Sequence, residues 1–237
     1  MKVIAVYAGI YGKAFTNALA AIAKNPWTLL LPMGLSVAWL LLATLLGSVL
    51  DPFTGGMLIS LAYSAALSIY CFFLGGLVAH QKVGLDQLRT SIGAYFWSWI
   101  SIFFVLWVVG LVLGPVFKAN PDLVLPYSLV QAIALNTVPE TIYQKGTRGG
   151  LETIQRSFAF LQENWIEWFI PNGLVLGGVF AAIVFGAVLT IFGTLGAVVS
   201  GLIVGVLLHV YAVFRGFLYE ALDGSTHRQR MYRARMG

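Results

Sequence analysis

Charged side chains are scarce in this sequence. Asp, Glu, Lys and Arg make up 10% of its 237 residues, against roughly 25% in a water-soluble domain. A surface that poor in charge cannot face water on every side. Cysteine is scarcer still. Cys71 stands alone, which excludes an intrachain disulfide and any zinc or iron–sulfur centre built from the chain's own cysteines. Signatures of catalysis are missing too. There is no Gly-Lys-Ser/Thr phosphate loop, no Gly-x-Ser-x-Gly elbow and no His-Glu-x-x-His, so neither nucleotide hydrolysis nor a serine or zinc hydrolase is signalled. His80, His209 and His227 have no ligand spacing among them, which leaves a metal site unsupported. The expectation is a non-enzyme, without metal or cofactor and with bound lipid as its small-molecule company.

The chain is filled instead with apolar residues, 59% of the total, and its mean hydropathy is +0.86. A bilayer crossing takes about 20 mainly apolar residues. Five runs supply them, at 28–50, 57–79, 95–117, 166–190 and 192–217. None of the five holds an acidic residue at its centre, as an ion-coupled transporter would. A sixth run, 123–138, is shorter and carries Pro126, Gln131 and Asn136. Counting it as a span puts both termini and the 80–94 and 139–165 loops on one side. Of the 14 Lys and Arg, only Lys118 then falls on the other side. Basic loops stay in the cytoplasm. The expected protein is therefore all-α and polytopic, with about six transmembrane helices in a bacterial inner membrane. It forms a single transmembrane domain over 1–237, with both termini cytoplasmic and a basic tail at 220–237. The formal net charge of +5 follows from this bias and calls for no nucleic acid. Lys2 ahead of the apolar stretch 3–11 could open a leader peptide, but Lys13 interrupts it and 11–23 has the period of an amphipathic helix, so retention of this segment is expected.

Three stretches share a plan: an amphipathic helix, a tryptophan, then a hairpin of two spans. Gly12 to Trp27 and Gly150 to Trp165 have the same spacing, 15 residues, with Pro32 and Pro171 following; Gly84 to Trp97 is 13. The reading is a parallel threefold repeat with units of approximately 11–79, 83–138 and 148–219. In the first stretch Phe15, Ala18, Leu19 and Ile22 oppose Lys13, Asn17 and Lys24. In the second Leu85, Leu88 and Ile92 oppose Asp86 and Thr90. In the third Leu151, Ile154, Phe158 and Leu161 oppose Glu152, Arg156 and Glu163, with Phe160 out of pattern;. Helices of this kind lie in the membrane interface, apolar face down. Trp27, Trp97 and Trp165 then act as anchors at headgroup level.

Two stretches carry a family resemblance. Tyr11-Gly12-Lys13-Ala14-Phe15 leads to Lys24-Asn25-Pro26-Trp27, and Val138-Pro139-Glu140 leads through Gly149-Gly150-Leu151 and Arg156-Ser157-Phe158 to Glu163-Asn164-Trp165. The chain resembles a broad group of uncharacterised prokaryotic membrane proteins that includes the membrane domain fused to some glycerophosphoryl diester phosphodiesterases. The resemblance implies six helices with interfacial elbows and no established catalytic residues. The phosphodiesterase site of the fused enzymes lies in a separate soluble domain that has no counterpart here, so that activity does not transfer.

A few residues carry possible chemistry. His209, inside the last span, is a cofactor-ligand or proton-relay candidate, weighed against a plain interhelical hydrogen bond. Gln131, Asn136 and Glu140 could line a polar path; the competing reading ties Glu140 to Arg148 or Arg156, with Pro139 and Glu140 simply starting a helix. Small residues recur every four positions at Gly75 and Ala79, Gly110 and Gly114, Gly173 and Gly177, and Ala197, Gly201 and Gly205. That spacing lets helices approach closely, within the chain or against a partner. Arg228, Arg230, Arg233 and Arg235 make the tail a candidate contact for anionic headgroups or a partner protein. The function expected from this balance is a scaffold, accessory or assembly subunit of a larger membrane complex, in contact with lipids and with a protein partner or a second copy. A small permease or lipid-handling protein is the alternative, and a cofactor-binding subunit through His209 the third reading.

Overall fold

The computed structural model describes residues 2–189, 191, 193–226, 229, 230 and 232. Among these residues there is no strand. The helices are α1 (Lys2–Lys24), α2 (Leu31–Val49), α3 (Pro52–Val78), α4 (Leu88–Ala94), α5 (Phe96–Ala119), α6 (Val124–Ala134), α7 (Val138–Lys145), α8 (Gly150–Leu189) and α9 (Gly193–Asp223), with short 3₁₀ turns ahead of α2, α4 and α6. Five stretches are long and apolar enough to cross a membrane: Pro26–Val49, Thr54–Val78, Leu85–Ala119, Gly150–Val184 and Gly193–Asp223.

Three helix breaks organise the molecule. Asn25 (φ −136°, ψ 56°) separates α1 from the turn into α2. Tyr95 (φ −127°, ψ 10°) separates α4 from α5, and Asn164 (φ −129°, ψ 17°) breaks α8 in its interior. A break leaves carbonyls without their usual partner. Asn25 and Asn164 each cover the carbonyl four residues back with their own side-chain amide, at 3.1 Å to Ala21 and 3.1 Å to Phe160. Tyr95 lacks an amide. There Ser68 of α3 does the job, donating to the Ser91 carbonyl at 2.9 Å and accepting from the Tyr95 N–H at 2.8 Å.

Packing is concentrated at the end of the molecule where these elbows lie. The buried core draws on Ala14, Ala18 and Ile22 of α1, Phe73 and Leu77 of α3, Ile142 of α7, Trp168 of α8 and Phe217 and Leu218 of α9. The opposite halves of the helices are apolar and exposed, as at Leu41, Leu45, Val112, Leu174 and Phe180. Their hydroxyls turn back onto their own helices. Thr44, Ser60 and Ser128 donate to the carbonyls of Leu40, Gly56 and Val124 at 2.8, 2.9 and 2.8 Å. A helix treats its polar side chains this way where the surroundings offer no partner.

The segment read from sequence as a sixth span becomes α6, a turn and α7. α6 has 11 residues, about 16 Å of helix, against a hydrocarbon thickness of about 30 Å. It still connects the two ends. The rings of Phe117 and Tyr127 meet at 5.0 Å at its start, and at its other end the Ala134 carbonyl accepts from Ser157 beside the third elbow at 2.9 Å. α1 and the residues after α9 also meet at the elbow end, where Tyr7 and Arg230 both bind the Glu167 carboxylate.

The first half of α8 divides into three sectors. Leu151, Phe158 and Trp165, seven residues or about two turns apart, form an exposed apolar stripe. Thr153, Ser157, Phe160, Leu161 and Asn164 are buried. Glu152, Gln155, Arg156, Gln162 and Glu163 are exposed and polar. Phe160, which breaks the two-faced pattern of the sequence, belongs to the buried sector: its ring stacks on Tyr219 at 4.2 Å. Leu161 joins it there, and Ala18 and Ile22 of α1 are likewise buried. In α1 and in the first half of α8 the single expected apolar face thus splits into a core-facing and an outward-facing part, because both pack on α9 as well as presenting an outer face, whereas Leu85, Leu88 and Ile92 of the second stretch all stay exposed.

Candidate functional site

Buried polar groups gather at the elbow end. Pro139 and Glu140 sit in the first turn of α7, where a ring-fixed φ and a negative charge both suit a helix start. Glu140 is buried, and Arg215 of α9 reaches it with two bonds, Nε to Oε1 at 2.8 Å and Nη2 to Oε2 at 3.0 Å. The same Nη2 donates to the Asn136 carbonyl. The guanidinium also lies over the rings of Trp168 (5.1 Å) and Tyr211 (5.5 Å). Asn136 completes the bracket, its Oδ1 accepting from Trp168 Nε1 at 2.7 Å. Burial and the neighbouring Glu140 hold the Tyr143 phenol well above its ordinary pKa.

A second pairing lies at the third elbow. Arg230 is 5% exposed; its Nη2 donates to Asn164 Oδ1 at 2.6 Å and to Glu167 Oε1 at 3.1 Å. Tyr7 donates to the same carboxylate at 2.9 Å. Burial and that carboxylate push the Tyr7 phenol up to about 12.

His209 is fully buried. Its Nε2 lies 3.1 Å from Thr28 Oγ1 and its Nδ1 3.3 Å from Tyr70 Oη. Thr28 spends its one hydroxyl hydrogen on the Asn25 carbonyl at 2.8 Å, so it can only accept from the ring. That assigns the proton to Nε2 and leaves Nδ1 to accept from Tyr70. Both ring nitrogens thus have partners within the protein.

Two shallow, open clefts flank the Lys145–Asp223 ion pair on the same end. One of about 370 Å³ is lined by Gly75, Tyr143, Gln144 and Glu220, the other of about 260 Å³ by Arg156, Phe160, Glu163 and Tyr219. Arg156 and Glu163 belong to the polar sector of α8, away from its apolar stripe.

The residues singled out from sequence fare unequally. Asn136 and Glu140 come together, but the cation between them is Arg215. Arg156 pairs with Glu152 at 2.9 Å on the surface and Arg148 is exposed, so neither is the partner of Glu140. Gln131 is half-buried, and its side-chain amide has no hydrogen bond among the described residues. An added Cβ at Gly110, Gly114, Gly173, Gly177 or Gly201 would meet nothing within 4 Å, and at Gly205 only Met33 at 4.0 Å. Of the small residues singled out, Gly75 is closely approached, a Cβ there lying 3.4 Å from Tyr143 Cβ, and close approach occurs at further glycines. At Gly150 a Cβ would strike the Ser101 backbone, and at Gly216 it would sit 2.6 Å from the Tyr143 hydroxyl. The Ala197 side chain, Arg228, Arg233 and Arg235 lie outside the described residues. Arg230, expected at headgroups, is buried in its ion pair. Trp97 and Trp165 are exposed, whereas Trp27 is half-buried with Nε1 donating to the Val83 carbonyl at 3.1 Å.

Sequence reasoning missed Arg215, Trp168 and Glu167. A signal existed at one position: three residues past each break stands Thr28, Ser98 or Glu167, a polar residue where a span is beginning, and all are buried. No family model, no curated protein and no solved structure matches this chain.

Proposed function

We propose that this chain is a non-catalytic integral protein of a bacterial inner membrane, serving as a scaffold, accessory or assembly subunit of a larger membrane complex. It crosses six times, with α6 as the short fourth crossing and both ends in the cytoplasm. Its three units each consist of an interfacial elbow helix and a hairpin. The repeated backbone angles at Asn25, Tyr95 and Asn164 support the units. So do the buried polar residues three positions on and the prolines seven positions past the two asparagines, Pro32 and Pro171. By this register the third tryptophan stands one residue nearer its break than the other two. The kinship with the membrane domains of phosphodiesterase-linked families concerns this architecture only.

The observation that carries the subunit reading is the outward placement of Gly110, Gly114, Gly173, Gly177 and Gly201, beside exposed Trp107, Leu111 and Leu174. Flat, small-residue helix flanks are where another transmembrane helix can approach closely. Native mass spectrometry from a mild detergent tests it. A stoichiometric protein partner or a second copy is expected; a strictly monomeric species across several detergents overturns it. A transport reading keeps one supporting feature, the unpaired amide of Gln131. It requires that Gln131→Leu abolish a transport or lipid phenotype at normal expression, and wild-type behaviour of that variant removes it.

A further inference from the structure

Where the chain leaves each hairpin, it returns to the elbow from which that hairpin began. At the first elbow Asn25 Oδ1 accepts from the Val83 N–H at 3.0 Å and its amide donates to the Gln81 carbonyl at 3.2 Å. The turn that delivers 81–83 has His80 in the left-handed region (φ 56°), with the Gln81 N–H on the Gly76 carbonyl at 2.9 Å, a Schellman ending to α3. At the second elbow Ser98 and Ser101 donate to the carbonyls of Thr147 and Arg148 at 2.9 and 3.1 Å. Both clasped segments lead into the next elbow helix. At the third elbow the clasped segment is the one that follows α9, and its contact is the Arg230 guanidinium on Asn164 and Glu167.

This segment is shaped by its own sequence. Thr226 and Gln229 bond reciprocally, the Gln229 N–H to Thr226 Oγ1 at 3.3 Å and the Thr226 N–H to Gln229 Oε1 at 3.0 Å. That is a capping box. The Arg230 N–H closes the turn on the Thr226 carbonyl at 3.1 Å, and the side chain points inward, where Nη1 binds the Leu222 carbonyl at 3.0 Å and the Ser225 carbonyl. One guanidinium thus ties α9, the break in α8 and, through Glu167 and Tyr7, α1.

We propose that Arg230, set by the reciprocal turn of Thr226 and Gln229, is the latch of the third elbow, the group that holds α1 and the first half of α8 against α9. The proposal stands on this geometry and does not depend on the subunit role. It is tested by amide hydrogen exchange on the full chain in detergent micelles. Arg230→Gln is expected to speed exchange about tenfold or more in peptides covering 3–12 and 151–166, a local opening, while peptides covering 64–83 exchange as in the wild type. Arg230→Lys falls between, because a single ammonium can meet Asn164 and Glu167 but has no second nitrogen to bind the Leu222 and Ser225 carbonyls at the same time. If Arg230→Gln fails to fold with the buried Glu167 carboxylate deprived of the Arg230 guanidinium, the double variant Glu167→Gln/Arg230→Gln must show the same local opening. Wild-type exchange in both peptides, or a uniform rise along the whole chain, overturns the proposal.

Discussion

At the scale of single residues, the strongest commitment is the Glu140–Arg215 pair. Removing one member of a buried ion pair strands the other and costs about 3–5 kcal/mol, whereas replacing both with apolar residues is often neutral. Glu140→Gln or Arg215→Met should therefore lower the midpoint of thermal unfolding in detergent much more than Glu140→Met/Arg215→Met. Equal losses would show that the charges matter only as bulk. Arg156 gives the contrast. Its pair with Glu152 is exposed, and such pairs contribute about 0–1 kcal/mol, so Arg156→Ala should scarcely move the same midpoint. Sequence spacing favoured Arg148 or Arg156 because they are near Glu140 along the chain. It could not reveal Arg215, 75 residues away, because only packing of α9 on α7 brings it there. His209→Leu should cost about 1–3 kcal/mol by leaving the Tyr70 hydroxyl buried without its acceptor, and the purified wild-type protein should show no visible absorbance band; a Soret band would contradict the pairing of both ring nitrogens.

At the scale of elements, the elbows explain what periodicity could and could not show. The tryptophans and their neighbouring polar residues marked the breaks in the sequence, because a helix that turns from the interface into the bilayer needs an amphipathic anchor and a capped end. The split of the apolar face was not legible. A helical wheel separates apolar from polar, but it cannot separate an apolar residue that meets the core, such as Phe160 or Ala18, from one that faces outward, such as Phe158. The caps lead to a measurable difference. Asn164→Ala removes both the cover of the Phe160 carbonyl and an acceptor for Arg230, so it should destabilise more than Ser68→Ala, whose loss leaves the second elbow's Ser98 clasp in place. Comparable midpoints for the two would mean that the elbow asparagine is not special. Trp97 and Trp165, exposed beside the breaks, should be quenched more by lipids brominated near the headgroup than by lipids brominated near the chain end. The reverse order would remove them from the interface.

At the scale of the whole molecule, the chain has two unlike ends. One holds the buried ion pairs, the elbows, both clefts, and Tyr7 and Arg230 from near the two ends of the described chain. The other is a set of apolar helix halves whose few hydroxyls bond to their own backbones. Composition announced the second end plainly, since low charge and long apolar runs leave few other solutions. The first end was hidden because its stabilising contacts join residues far apart in sequence, as Tyr7, Glu167 and Arg230 do. The proposed orientation puts the elbow end in the cytoplasm and the turns at Asp51 and Asn120 on the opposite side. Single cysteines at Lys24, Lys145 and Asp223, and at Asp51 and Asn120, in a Cys71→Ser background, can be labelled in intact spheroplasts with a membrane-impermeant maleimide. The account predicts labelling at 51 and 120 in intact cells, and at 24, 145 and 223 only after the membrane is opened. Labelling of 145 or 223 together with 51 in intact cells would contradict it.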